Sequence, residues 1–171
     1  MSSINNEPKI KNALIKAVRE QLEHRAVWMY LLCDEARKKG LPPEEYAPEA
    51  IRRCGLNQGS ELVEKGGTTS LKGLKKLLFT KPAQWVFEMK VQKSTDDSLH
   101  IDFHYCPLVK AWQKQGCSDE EIGSLCDFAM CGDRGIAESY GCELTLPKTL
   151  TKGDGTCEKR FDRLTTGGKS I

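Results

Sequence analysis

No Cys-x-x-Cys pair occurs in this sequence, although it holds eight cysteines among 171 residues. Zinc-ribbon and zinc-finger spacing is therefore excluded. Phosphate loops, Gly-x-Ser-x-Gly and His-Glu-x-x-His are absent too, which removes common signatures for nucleotide binding, serine hydrolysis and metalloproteolysis. No apolar run approaches the about 18 residues of a membrane-spanning helix. The opening Met-Ser-Ser-Ile-Asn-Asn-Glu-Pro has neither the basic nor the apolar region of a secretory signal. A cytoplasmic location is expected, with the cysteines as thiols, metal ligands or catalytic groups rather than disulfides. A formal net charge of +2 gives no electrostatic footprint for nucleic acid. The expected partner is a small molecule, with no nucleic acid and no membrane, and a homo-oligomer stays open.

What is present is the composition of an ordinary globular protein, 39% hydrophobic and 29% charged. One domain is expected over 1–171: a helical part at 7–79, an α+β part at 80–164 and a flexible tail at 165–171. The first helix should run over 7–39, with Pro8 in its first turn and Gly40 as its stop. Its mostly apolar stripe reads Ile10, Leu14, Ala17, Val18, Gln21, Leu22, Arg25, Val27, Trp28, Leu31 and Leu32. A second helix reaches about Lys65, and Gly55 and Gly59 on one face would permit a close helix contact. A third covers Ser70–Phe79. The period then changes to 2: Trp85, Phe87, Met89 and Val91 alternate with Val86, Glu88, Lys90 and Gln92, as in a strand. Leu99–Cys106 returns as the second arm of a hairpin.

A fourth helix starts at Cys106 or Pro107 and ends near Gly116. Ser118-Asp-Glu-Glu121 is a capping box, and its helix should end around Cys131-Gly132, leaving Asp133-Arg134-Gly135 as a loop. The strand begun at Cys142 meets Pro147 and reads as an edge. Thr156–Leu164 is the last strand, with Cys157, Lys159 and Phe161 on one face. The fold class is α+β: a helical N-terminal half packed on a small antiparallel sheet of two hairpins, with two intervening helices.

The chemistry concentrates at His100–Pro107. Alternation puts His100, Asp102, His104 and Cys106 on one face and Ile101, Phe103 and Tyr105 on the other. Pro107 suits the first helical position, so Cys106 becomes the N-cap, where unpaired amides and the helix dipole favour a thiolate. The bland reading is a solvated polar face that ends in a cap. Cys126 lies on a buried helix face, where cysteine commonly acts as a small hydrophobe. Cys157 suits either sheet packing or the site. Cys131 and Cys142 read as incidental, and His24 as structural. Cys106, Cys126 and Cys157 could converge on one pocket.

Cys106-Pro107, Gly116, Cys126-Asp127 and Thr151-x-Gly153-Asp154-x-x-Cys157-x-x-Arg160-Phe161 together resemble the L-2-amino-thiazoline-4-carboxylic acid hydrolase family. The resemblance covers roughly residues 80 to 163. The family usually has an aromatic residue between the last cysteine and the arginine, where this chain has Lys159. Its aspartate often lies a few residues beyond the second cysteine, so Asp127 and Asp133 compete for that place. The resemblance implies hydrolytic opening of a cyclic amidine at a C–N bond: water adds to C2 of the thiazoline ring and a carbamoyl-cysteine leaves. On that reading Cys106 is the nucleophile or water-orienting group and His104 the acid–base. Asp127 or Asp133 holds the amidinium, Arg160 the carboxylate, and Cys126 and Cys157 line the substrate site. No cofactor is required. The competing reading is a non-catalytic domain that binds a small molecule or a divalent metal through Cys106, Cys126 and Cys157. A third is a redox sensor with paired thiols.

Overall fold

In the computed structural model, which describes residues 2–164, six helices and four strands follow in the expected α+β order. Helix α1 (Ala13–Lys38) leads through a short 3-10 turn to α2 (Ala47–Gly66), α3 (Leu71–Leu77) and α4 (Lys81–Val86). Strands β1 (Met89–Ser94) and β2 (Ser98–Phe103) form the first hairpin. Helices α5 (Pro107–Lys114) and α6 (Asp119–Ser139) intervene before β3 (Cys142–Thr145) and β4 (Cys157–Arg163). The antiparallel sheet has the order β1-β2-β4-β3, so the strand interrupted by Pro147 is indeed an edge. Among the described residues, no helix is long and apolar enough to cross a membrane. The tail expected at 165–171 lies outside the described residues.

Four local expectations are corrected. Helix α1 starts at Ala13, not residue 7, because the preceding residues form an extended strap bonded to distant parts of the chain. Ser2 and Ser3 bind the Asp119 carboxylate, and the amides of Lys9 and Ile10 donate to Glu88. Asn12 then caps α1, accepting from the Ile15 amide at 3.1 Å. The face of α1 that packs is also different: Ile15, Arg19, Ala26 and Cys33 are buried, while Leu14, Val18, Trp28, Leu31 and Leu32 are exposed.

Residues 81–86 form a helix, so the strand expected from Trp85 does not begin there. Pro82 sits in the first turn of α4, where its missing N–H costs nothing. Glu88, at φ 51°, then turns the chain into β1, so the period-2 pattern governs only from Met89 onward. Finally, α6 does not stop at Gly132. It continues through Asp133-Arg134-Gly135 because those glycines let it lie against α2. A Cβ on Gly55 would run into the Gly132 carbonyl, and one on Gly135 into the Arg52 carbonyl. Close packing outweighs the poor helix propensity of glycine here.

Two cores result. Leu99, Ile101, Phe103 and Phe161 of the inner sheet face pack with Leu71, Leu74, Phe79, Ile136 and Tyr140. The other core joins Ala26, Cys33, Ala47, Val109, Trp112, Ile122, Leu125 and Phe128 from four helices. Helix α6 enters both: its first half belongs to the helical core and its last turns to the sheet core. The capping box fixes where it starts, with the Glu121 amide donating to Ser118 and the Ser118 amide to Glu121.

Candidate functional site

The site lies where the two cores meet. Cys106 and Cys126 pack on the helical core, and Cys157 packs on the sheet core. The chain reaches Cys106 from β2 and leaves it into α5, with extended backbone at φ −133°, ψ 114°, and Pro107 in the first turn. The expected N-cap cysteine is therefore present. Its thiol forms no completed cap hydrogen bond, but the Leu108 and Val109 amides favour its thiolate. Burial acts the other way and prevails, pushing the Cys106 thiol up.

A side chain that sequence reasoning passed over holds this cysteine in place. Asn6, buried in the strap, donates from Nδ2 to the Cys106 carbonyl at 2.8 Å. It accepts from the Cys106 amide at 2.9 Å. No periodicity could have announced it, since the contact spans a hundred residues of chain.

Lys159 is the cation of the seam. It follows Cys157 on the inward face of β4 and is only 6% exposed. Its ammonium lies 3.0 Å from Asp133 and 4.6 Å from the centre of the Phe103 ring. Burial pulls its pKa down, but the charges of Asp133 and Cys157 and the Asp133 hydrogen bond together outweigh that and raise it. Its positive charge favours the thiolate of Cys106, Cys126 and Cys157 alike, against the burial that raises all three. Continuation of α6 brings Asp133 in. It stands two turns after Cys126 and so on the same face, whereas Asp127 is exposed. Of the two competing aspartates, Asp133 meets the thiols' neighbour.

Arg160 and His104 are directed elsewhere. Arg160 points to the outer sheet face, where it pairs with Asp102 at 2.7 Å and Glu158 at 2.9 Å. Alternation along β4 requires this, since Arg160 follows the inward Lys159. Burial tends to raise the Asp102 pKa, but hydrogen bonds from Arg160 and Gln92 and the charge of Arg160 hold it below the usual carboxylate range. His104 is exposed, and its charge acts on Asp102. His100 is paired with Asp162 at 3.0 Å on the same outer face. The polar face of β2 is thus a network of its own, with Cys106 turned away from it by the strand-to-helix bend.

Among the described residues, no three His, Cys, Asp or Glu side chains are arranged to hold a metal ion. All eight cysteines are free thiols. A cavity of about 470 Å³ opens near the strap, lined by Pro8, Ile10, Arg19, Tyr105 and Lys110 among others, and Cys106 is not in its wall.

The family model described as L-2-amino-thiazoline-4-carboxylic acid hydrolase matches residues 19–161. The chain belongs to the L-2-amino-thiazoline-4-carboxylic acid hydrolase family. The family match spans α1 to β4 and so includes every residue of the seam except Asn6. Comparison with curated proteins gives no match. Among solved structures, the chain is similar to a trafficking protein particle complex subunit 3 from Naegleria fowleri, crystallised covalently bound to palmitic acid. The TM-score is 0.51 at 14% identity, over 84% of this chain and 95% of that one. At that identity the likeness concerns the fold alone.

The buried thiols give this family member a pH signature. Burial pushes Cys157 and Cys142 from 9.0 up to about 11. Between these values the unfolded chain has lost thiol protons that the folded chain still holds, so stability falls as pH rises. Thermal melts are expected to hold steady through neutral pH and then fall between about pH 9 and 11. Cys142→Ala should flatten part of that fall.

Proposed function

We propose that this chain hydrolyses a small cyclic amidine of the 2-amino-thiazoline-4-carboxylate type, with the Cys106–Lys159–Asp133 seam as its reaction site. The supporting observation is a cysteine at a helix N-cap beside a buried, ion-paired lysine, in a chain of this family.

Such a substrate carries an amidinium at one end and a carboxylate at the other. It is the electrostatic counterpart of the Lys159–Asp133 pair. Entering the seam, its carboxylate takes up Lys159 and its amidinium takes up Asp133, so neither buried charge is left unpaired. Arg160, committed to Asp102 and Glu158 on the opposite face, has no part in this. His104 has none either.

C2 of a protonated amidine is electrophilic. Burial pushes the Cys106 thiol up, so the thiol is its resting form. Its thiolate, once formed, is favoured by the Leu108 and Val109 amides and by Lys159, and it attacks C2. The C2–N ring bond then breaks, the ring nitrogen leaving as an amine while C2 stays bonded to Cys106; water adds to C2 and expels the Cys106 sulfur, which regains its proton as the carbamoyl-cysteine is released. Asn6 keeps the Cys106 backbone fixed during these steps.

The test is incubation of the purified full chain with L-2-amino-thiazoline-4-carboxylate, with carbamoyl-cysteine followed by mass spectrometry. Catalytic accumulation of product is the expected result. Product at the uncatalysed rate would refute the reading.

A further inference from the structure

The cavity beside the strap is separate from the seam, since Cys106 is not in its wall. Its volume of about 470 Å³ is that of a small-molecule pocket. Ala13, Lys16, Glu20 and Glu23, at steps of three and four, bring one face of α1 to it. Lys110 and Lys114, one turn apart on α5, line it as well, and Pro8, Ile10 and Lys11 of the strap complete it.

Tyr105 is the polar group that this cavity leaves unsatisfied. The residue is only 2% exposed, and the Arg19 guanidinium covers its ring. Its hydroxyl has no hydrogen-bond partner among the described residues. Unlike the Tyr140 hydroxyl it is not sealed in, so the little surface it keeps opens on the cavity. Burial above all, and then the charge of Glu23, push its pKa up to about 12. At neutral pH the hydroxyl keeps its proton and is ready to donate a hydrogen bond.

The other polar atoms left over are mostly donors too. Arg19 is committed to Glu88 and three backbone carbonyls. Lys16 holds Glu20, Lys110 holds Glu7 and Lys114 holds Glu23, but each ammonium has N–H groups to spare. Lys11 takes no carboxylate among the described residues, which leaves its positive charge uncompensated. On the acceptor side the wall offers the second oxygens of Glu20 and Glu23. We infer that this cavity binds a small organic carboxylate, whose oxygens accept from the Tyr105 hydroxyl and the surrounding lysines while its apolar body rests on Pro8, Ile10 and Ala13. A cation would meet ammonium groups on three sides. An inorganic anion would leave the apolar wall uncovered.

Titration of the isotope-labelled full chain with sodium benzoate, followed by amide chemical shifts, tests this. Saturable shifts are expected at Ile10, Lys11, Tyr105 and Lys110, with a dissociation constant of about 1 mM or tighter. Tyr105→Phe keeps the ring and removes a hydroxyl that no protein group uses. It should fold as wild type and weaken binding about tenfold. Lys11→Gln should weaken it severalfold. Tyr46→Phe, at an exposed tyrosine outside the cavity, should change nothing. Benzylamine carries the same ring with the opposite charge, and inorganic phosphate carries charge without the ring. Each should bind at least about tenfold more weakly than benzoate. Shifts that never saturate, or that saturate only at residues away from the cavity, would overturn the inference. So would binding indifferent to both Tyr105→Phe and Lys11→Gln, or phosphate or benzylamine bound as tightly as benzoate.

Discussion

Cys106→Ala is expected to lower turnover of L-2-amino-thiazoline-4-carboxylate by ~10²-fold or more, because the replacement removes the only nucleophile the mechanism uses. The loss should fall on kcat, since alanine leaves the Lys159–Asp133 pair and the amides of α5 in place to bind substrate. Stability should change little. The thiol is only partly exposed and adds a small apolar contact to the helical core, and the Asn6 bonds go to backbone atoms that alanine retains. Steady-state kinetics beside a thermal melt separates the two effects. A fall in activity matched by a fall in melting temperature would point to damage to the fold instead.

Arg19→Ala is expected to cost about 3–5 kcal/mol of stability, as removal of one partner from a buried ion pair does. Arg19 reaches from α1 into the junction of strap, α4 and β1. Nε donates to the Val86 carbonyl at 2.8 Å, Nη1 to Ile10 at 2.9 Å and Nη2 to Trp85 at 3.1 Å. The same Nη2 lies 3.1 Å from Glu88, and the guanidinium stacks 4.4 Å from the centre of the Tyr105 ring. Alanine would strand the Glu88 carboxylate and three carbonyls in a site from which water is largely excluded. For a chain of this length the melting temperature should drop on the order of 10 °C. Lys16→Ala, which breaks an exposed pair with Glu20 one turn earlier, should cause no measurable change.

The alternation of β2 and β4, the capping box and the Cys106 N-cap were legible because each depends on neighbours in sequence. The Gly55–Gly59 face was legible as well, as a close helix contact. Its consequence for α6 was not, because glycines at 132 and 135 look like a helix end until α2 is seen to require them. That misreading put Asp133 in a loop and left it level with Asp127 as a candidate, although its spacing of seven from Cys126 already placed both on one helical face. Lys159 had a signal too: a lysine alternating between Cys157 and Phe161 must be buried if they are. Asn6 had none, since its partner is distant in sequence. For α1 the rule that the most apolar face packs inward failed. Arg19 is buried because Glu88 pays for its charge, and the richest apolar stripe is left outside.

The central claim is that the chemistry belongs to the inner seam and not to the polar outer face of the sheet. Lys159 and Arg160 are adjacent cations on the two sides of one strand, so a matched pair of substitutions tests it. Steady-state kinetics on L-2-amino-thiazoline-4-carboxylate should show Lys159→Met losing tenfold or more in kcat/KM. Arg160→Met should stay close to wild type. Loss in Arg160→Met with Lys159→Met unimpaired would contradict the account.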